Sequence, residues 1–185
     1  MFERERSEAE THDSLSREER LVWLMEEYGK SVVRLAYTYV RQKQLAEDIA
    51  QEVFIKCYKN MDMFRRESSY KTWIYRITVN KCKDVMKSWA YKNVLFTNIF
   101  SPKWNRSEES TESRILINEE SLFISEMVVS LPIILREVII LHYYEELQIN
   151  EIADLLELNQ NTVKSRLHRA RLKLKKMLDG GKHNG

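Results

Sequence analysis

Glycine is scarce in this chain of 185 residues: there are four, and none lies between Gly29 and Gly180. That gap excludes a Gly-rich phosphate loop, a dinucleotide fingerprint and a nucleophile elbow, which need glycine where the backbone turns tightly or meets a ligand. It also argues against tight β-hairpins, whose favoured turns take glycine at positive φ. The only prolines are Pro102 and Pro132, so long stretches are free to run as unbroken helix. Two cysteines, Cys57 and Cys82, are too few for a disulfide framework. Each falls inside an apolar helical pattern and reads as a buried free thiol in a reducing compartment. The four scattered histidines, His12, His142, His168 and His183, offer no metal-ligand spacing, and no metal or cofactor is expected. No nucleophile–base pairing can be assembled either, so the chain is not read as an enzyme. The opening MFERERSEAE lacks the apolar core of a signal peptide. The longest unbroken aliphatic run, Val138 to Leu141, falls far short of a membrane span. A cytoplasmic protein with no membrane insertion of its own is expected.

What is present is helix-forming and charged. Hydrophobic residues make up 43% and charged residues 31%, a globular composition. The net charge of +2 hides a strong asymmetry. Residues 64–92 hold eight basic and two acidic side chains, a local +6. Residues 93–160 hold four basic and twelve acidic, a local −8, and residues 161–178 hold seven basic and none acidic. Two basic blocks around an acidic one point to a bipartite contact with a polyanion, although solvated helix faces alone would also look basic.

Helical periodicity runs from Leu21 to about Ala90, and returns near Glu119 to continue to Leu178. Residues 1–20 are polar and without period, a flexible lead-in. Between the periodic stretches, Pro102 and the run SEESTES at 107–113 mark a flexible linker over residues 93–120. Ser130 before Leu131-Pro132 reads as the N-cap of a fresh helix. The expected fold class is all-α: two small helical domains, 21–92 and 121–178, with a short tail at 179–185.

Residues 147–178 read LQINEIADLLELNQNTVKSRLHRARLKLKKML. Ile152, Leu155 and Leu156 share one face of a short helix, Leu158-Asn159-Gln160 form a turn, and Asn159 reads as the next N-cap. In the following helix Val163, Leu167, Ala170, Leu174 and Leu178 make one apolar stripe. Thr162, Ser165, His168 and Arg169 fall opposite it, with Lys164 and Arg166 on the flanks. This is what a DNA-recognition helix requires: an apolar back, small and donor residues towards the groove floor, and cations for phosphates. A basic surface helix without function is the plainer reading.

The run LPIILREVIILHYYEELQINEIADLL followed by TVKSRLHRAR resembles region four of the extracytoplasmic-function (ECF) sigma factors, within the sigma-70 superfamily. That resemblance implies recognition of the minus-thirty-five promoter element through Thr162, Lys164, Ser165, Arg166, His168 and Arg169. In the turn, Glu157, Asn159 and Asn161 replace the Gly, Pro and Gly frequent in the family. Glu157 does not favour a left-handed backbone, which leaves a different turn and helix entry angle open. Gln148 stands where a capping Ser is common, which weakens that cap.

A second stretch, DIAQEVFIKCYKN at 48–60, resembles the region-two helix through which family members dock on the polymerase β′ clamp helices. The helical wheel puts Ile49, Ala50, Val53, Phe54 and Cys57 on a buried face. Asp48, Gln51, Glu52, Ile55 and Lys59 lie on the other. Ile55 among polar groups is either a lone surface residue or the anchor of a partner contact. Over residues 61–88 the resemblance extends to the regions that melt and read the minus-ten element. It implies DNA contacts by Phe64, Arg65, Tyr70, Thr72, Arg76, Asn80 and Lys83. On the residues alone, Thr72, Arg76, Asn80, Lys83 and Lys87 form a polar, basic helical stripe. The aromatics Phe64, Tyr70, Trp73 and Tyr75 interleave with it, the mixture that binds single-stranded DNA. Core packing accounts for most of Trp73, and Tyr75 is equally readable as structural.

The family resemblance implies core RNA polymerase (β′ clamp helices and β subunit) and promoter DNA as partners. It also implies an anti-sigma factor, linked to the membrane, as regulator. A stand-alone helix-turn-helix regulator is the alternative, but it leaves Ile55 and the 70–87 stripe without a purpose.

Overall fold

A computed structural model describes residues 15–64, 69–95 and 119–181, and those residues are all-helical. Helix α1 spans Arg17–Val40, α2 spans Lys43–Lys59, a single 3-10 turn covers Met61–Met63, and α3 spans Tyr70–Leu95. In the second half, α4 spans Glu119–Ser130, α5 spans Ile133–Ile139, and a π-helical segment covers Ile140–Tyr144. Helices α6 (Ile149–Leu156) and α7 (Gln160–Gly181) complete it. The expected lead-in up to residue 14, most of the linker and the last four residues of the tail lie outside the described residues.

Helix α1 begins at Arg17, inside the stretch expected to be a lead-in. The reason is a capping box: Ser16 Oγ accepts the Glu19 N–H at 3.2 Å, and the Ser16 N–H donates to Glu19 Oε2 at 2.8 Å. Helices α1, α2 and α3 pack around Leu24, Val32, Leu35, Ile49, Val53, Ile74 and Val79, all at most 1% exposed. Each such aliphatic side chain stabilises the fold by roughly 2 kcal/mol. Cys57 and Cys82 are buried there as free thiols, and burial pushes each up to about 12.

In the second half the Leu131-Pro132 break occurs as expected, but Ser130 is not an N-cap. It ends α4, and its hydroxyl donates back to the Met127 carbonyl at 2.7 Å. The turn between α6 and α7 settles the question of Glu157, which adopts φ 57°, ψ 46°, a left-handed C-cap. The left-handed residue is required because it lets the Leu158 N–H reach the Ala153 carbonyl at 2.8 Å. Asn159 caps α7 as expected, its Oδ1 accepting the Asn161 N–H at 2.7 Å. At the start of α6, Glu151 compensates for Gln148 by accepting its backbone N–H at 2.7 Å.

The two expected helical domains are both present, and they touch. α1 packs against α5 and α3 against α6, and one contiguous apolar cluster runs from Leu24 to Ala170.

Candidate nucleic-acid interface

The face of α2 carrying Asp48, Gln51, Glu52, Ile55 and Lys59 is exposed throughout. Ile55 is 54% exposed, while Val53 and Cys57 on the opposite side are sealed. Glu52 is tied to Lys81 of α3 by an ion pair, so this face is braced from the neighbouring helix. The result is a helix face with one apolar projection among polar groups.

The aromatic and basic set along α3 divides. Tyr70 and Thr72 are buried, at 4% and 5% exposure. Phe64 stacks on Tyr70 with ring centroids 4.2 Å apart and lies 5.2 Å from Trp73, so these rings pack on each other. Thr72 belongs to a cap that the sequence reading overlooked. Ser69 Oγ accepts the Thr72 N–H at 3.1 Å at the start of α3, and serine just before a helical run was the available signal. Arg76 and Lys83 are half-buried and Asn80 is exposed; Arg65 lies outside the described residues. Tyr75 is structural here, 1% exposed with its hydroxyl donating to Glu145.

On α7 the apolar back is complete where it matters: Val163, Leu167 and Ala170 are at most 2% exposed. Leu174 is half-buried and Leu178 is 40% exposed, so the stripe runs off the end of the domain. Opposite it Lys164, Ser165, His168 and Arg169 are exposed, and Thr162 is half-exposed near the helix start. Arg166 is turned inward. Its Nη1 donates to Glu137 Oε1 at 2.8 Å, and its side chain is only 19% exposed. Further along, Arg171 donates to the Tyr143 hydroxyl at 2.7 Å.

Two buried carboxylates organise the space between the halves, and the sequence reading assigned neither. Glu137 of α5 takes Arg166 on one oxygen and the Tyr39 hydroxyl of α1 on the other, at 2.7 Å. Glu145, 2% exposed just after the π-helical segment, takes Arg34 Nε and Nη2 of α1 on Oε1 at 3.0 and 2.6 Å. Its Oε2 takes Tyr75. Burial together with the adjacent carboxylates raises the Tyr39 and Tyr75 hydroxyls above the usual tyrosine range, so both remain proton donors. A charge embedded in an apolar run, as in REVIIL and VVRLA, was the signal for such pairing.

Among the described residues no group of three or more His, Cys, Asp or Glu is placed to hold a metal ion, and no helix is long and apolar enough to cross a membrane.

Residues 24–90 match the family model described as Sigma-70 region 2, and residues 124–174 match Sigma-70, region 4. The ECF RNA polymerase sigma factor SigW of Bacillus subtilis is 32% identical over 158 residues, covering 82% of this chain and 84% of its own. The ECF RNA polymerase sigma-E factor of Escherichia coli K12 is 31% identical over 156 residues, covering 80% and 81%. The fold is similar to the sigma factor RpoE of Bartonella quintana, solved in complex with the anti-sigma factor NepR. The TM-score is 0.71 at 20% identity, with 88% of this chain and 96% of that one covered. CnrH, solved with the cytosolic domain of CnrY, gives 0.64 at 21%, covering 93% and 94%. A stand-alone helix-turn-helix regulator would share only the second half, whereas these relatives match both halves in order, and that alternative is set aside. With two region models matched in order and curated relatives aligned over four-fifths of its length, the chain belongs to the extracytoplasmic-function sigma factors of the sigma-70 superfamily.

Proposed function

We propose that this chain binds core RNA polymerase and directs it to promoters carrying minus-ten and minus-thirty-five elements of one particular sequence, opening the DNA without performing chemistry itself. The observation that carries the reading is the pairing, on one chain, of an exposed apolar anchor at Ile55 with a recognition helix that exposes Ser165, His168 and Arg169. Region two, taken as residues 21–92, docks on the β′ clamp helices through Asp48, Gln51, Glu52, Ile55 and Lys59. Asn80, Arg76 and Lys83 follow the melted strand, and Arg65 is assigned to the same contact. The stack of Phe64, Tyr70 and Trp73 supports that surface from behind, which assigns Tyr70 and Thr72 to the scaffold. Region four, residues 121–178, lays α7 in the major groove. Arg169, His168 and Ser165 read bases there, and Lys164 and Thr162 hold phosphate.

The family also supports an anti-sigma factor as regulator, since the sigma factor of similar fold from Bartonella quintana was solved with one. Such a partner, when linked to a membrane, would hold the chain at its cytoplasmic face. The test is reconstitution: purified core polymerase, this chain as the only specificity factor, and a promoter library. Transcripts sharing upstream elements at a fixed spacing support the reading. Random initiation, or initiation only when another sigma factor is added, overturns it.

A further inference from the structure

We infer that Arg171, on the flank of α7, holds a backbone phosphate of the duplex, and that Tyr143 positions its guanidinium for that contact. The inference deepens the function proposed above and rests on it, because it adds two residues to the duplex contact of α7.

The fold treats the two arginines on the flanks of α7 differently. Arg166 is drawn inward by the Glu137 carboxylate, which cancels its charge. Arg171 lies about 140° around the helix from it. It is exposed and meets a neutral partner: Nε donates to the Tyr143 hydroxyl at 2.7 Å, and Cζ stands 5.6 Å from the ring centroid. Among the described residues no carboxylate pairs with Arg171. A neutral acceptor fixes the direction of a guanidinium and leaves its charge whole. Nε is spent on the hydroxyl, and the Nη1–Nη2 edge remains for the two oxygens of a phosphate.

Arg171 also stands in a series. Lys164, His168, Arg171 and Lys175 recur at four, three and four, and all four are exposed. That spacing makes one basic ridge along the helix. No acidic residue occurs from Leu158 to Leu178 to interrupt it. From Lys164 to Lys175 the ridge runs about 16 Å, at about 1.5 Å per residue. A duplex backbone is the polyanion such a ridge fits.

Tyr143 is placed by the π-helical segment. The Glu145 N–H reaches back five residues to the Ile140 carbonyl at 3.0 Å. The wide turn leaves Tyr143 and Tyr144 outside, 52% and 45% exposed, between the buried Leu141 and Glu145. Turns of this kind are rare and concentrate at functional sites. His142 braces the Tyr143 ring edge-on, with centroids 4.8 Å apart, and its own Nδ1 donates to the Leu147 carbonyl at 3.0 Å. Tyr143 is thus ordered by its own segment, and it restrains a long side chain whose rotamer freedom would otherwise be lost on binding.

The experiment uses the full chain and a randomised duplex DNA pool, with fluorescence anisotropy read over a series of salt concentrations. Both side chains are exposed, so every variant should keep the wild-type circular dichroism and melting temperature. Arg171→Ala should weaken binding several-fold and flatten the log–log salt slope by about one, the mark of one lost phosphate contact. Arg171→Lys should keep the slope, because it keeps the charge, and fall short in affinity, because an ammonium has no planar fork. Tyr143→Phe should weaken binding about threefold at an unchanged slope, and should add nothing in the Arg171→Ala background. An unchanged slope in Arg171→Ala, a Tyr143→Phe defect that persists without Arg171, or a lowered melting temperature overturns the inference. So does a wild type that binds no duplex. Promoter-directed transcription with core polymerase judges the functional reading separately. A wild type that directs it while Arg171→Ala keeps the full slope sinks the phosphate contact alone. A wild type that shows the expected slopes but directs nothing sinks the functional reading alone.

Discussion

Arg166 and Glu137 form a sequestered ion pair, 2.8 Å apart, that pins the recognition helix α7 to α5 from its flank. Glu137 is 5% exposed and its second oxygen is held by Tyr39, so the pair joins the DNA-reading helix to the contact between the halves. A cation that helical spacing alone sets against phosphate is thereby committed to the interior.

Arg166 and Arg169 should therefore behave differently. Arg166→Ala leaves Glu137 buried without its cation, which costs about 3 kcal/mol for a broken buried pair. Thermal unfolding should show the loss. Arg169→Ala removes nothing buried and should leave the melting temperature unchanged, while relaxing preference at one or two positions of the minus-thirty-five element by roughly 1–3 kcal/mol. A selection over randomised upstream elements measures that. An unchanged selected motif would mean that α7 enters the groove in another rotation.

Along α3, Tyr70 and Asn80 separate scaffold from contact. Tyr70→Ala empties a site packed by Phe64, Trp73 and Trp23 and should destabilise the chain by about 3–5 kcal/mol. Asn80→Ala, at an exposed position, should change stability by less than about 0.5 kcal/mol. Its defect should appear in open-complex formation on duplex promoters and shrink on a pre-melted bubble, where base extrusion has already been supplied. Equal defects on both templates would remove Asn80 from the melted-strand surface.

For the docking face, Ile55→Glu should preserve the helical circular dichroism signal, since no core volume is lost. Removing a central apolar anchor weakens an interface by about 1–3 kcal/mol, roughly tenfold or more in affinity. Co-purification with core polymerase measures it, and unchanged recovery would displace the docking assignment from α2.

The turn before α7 holds a further test. Glu157 sits at φ 57°, where a residue with a Cβ is strained by roughly 1 kcal/mol or more. Glu157→Gly should therefore raise stability by about 1 kcal/mol, about 3 °C in melting temperature for a chain of this size. A fall in melting temperature would show that the side chain contributes more than the strain removes.

What was legible in the sequence follows from local rules. The glycine gap and the 3.6-residue spacing of apolar groups specify helices, because a helix satisfies its own backbone from neighbouring residues. The same spacing assigned Val163, Leu167 and Ala170 to the interior and left Ile55 outside. The Ser16–Glu19 capping box was readable too, although the expected lead-in ran past it. Contacts between helices were not readable, because they depend on which faces meet and helical spacing does not encode that. A wheel treats Tyr70, Thr72 and Arg166 as equals of Asn80 and Arg169 on polar or basic faces. Only packing separates them: Phe64 covers Tyr70, Ser69 engages Thr72, and Glu137 draws Arg166 inward. Glu137 and Glu145 show the limit most plainly. The sequence by itself placed each carboxylate at the edge of an apolar run, but one partner of each stands about a hundred residues away on α1. Tertiary structure alone brought Tyr39 and Arg34 to them, because a buried charge is tolerated only where the fold delivers donors to it.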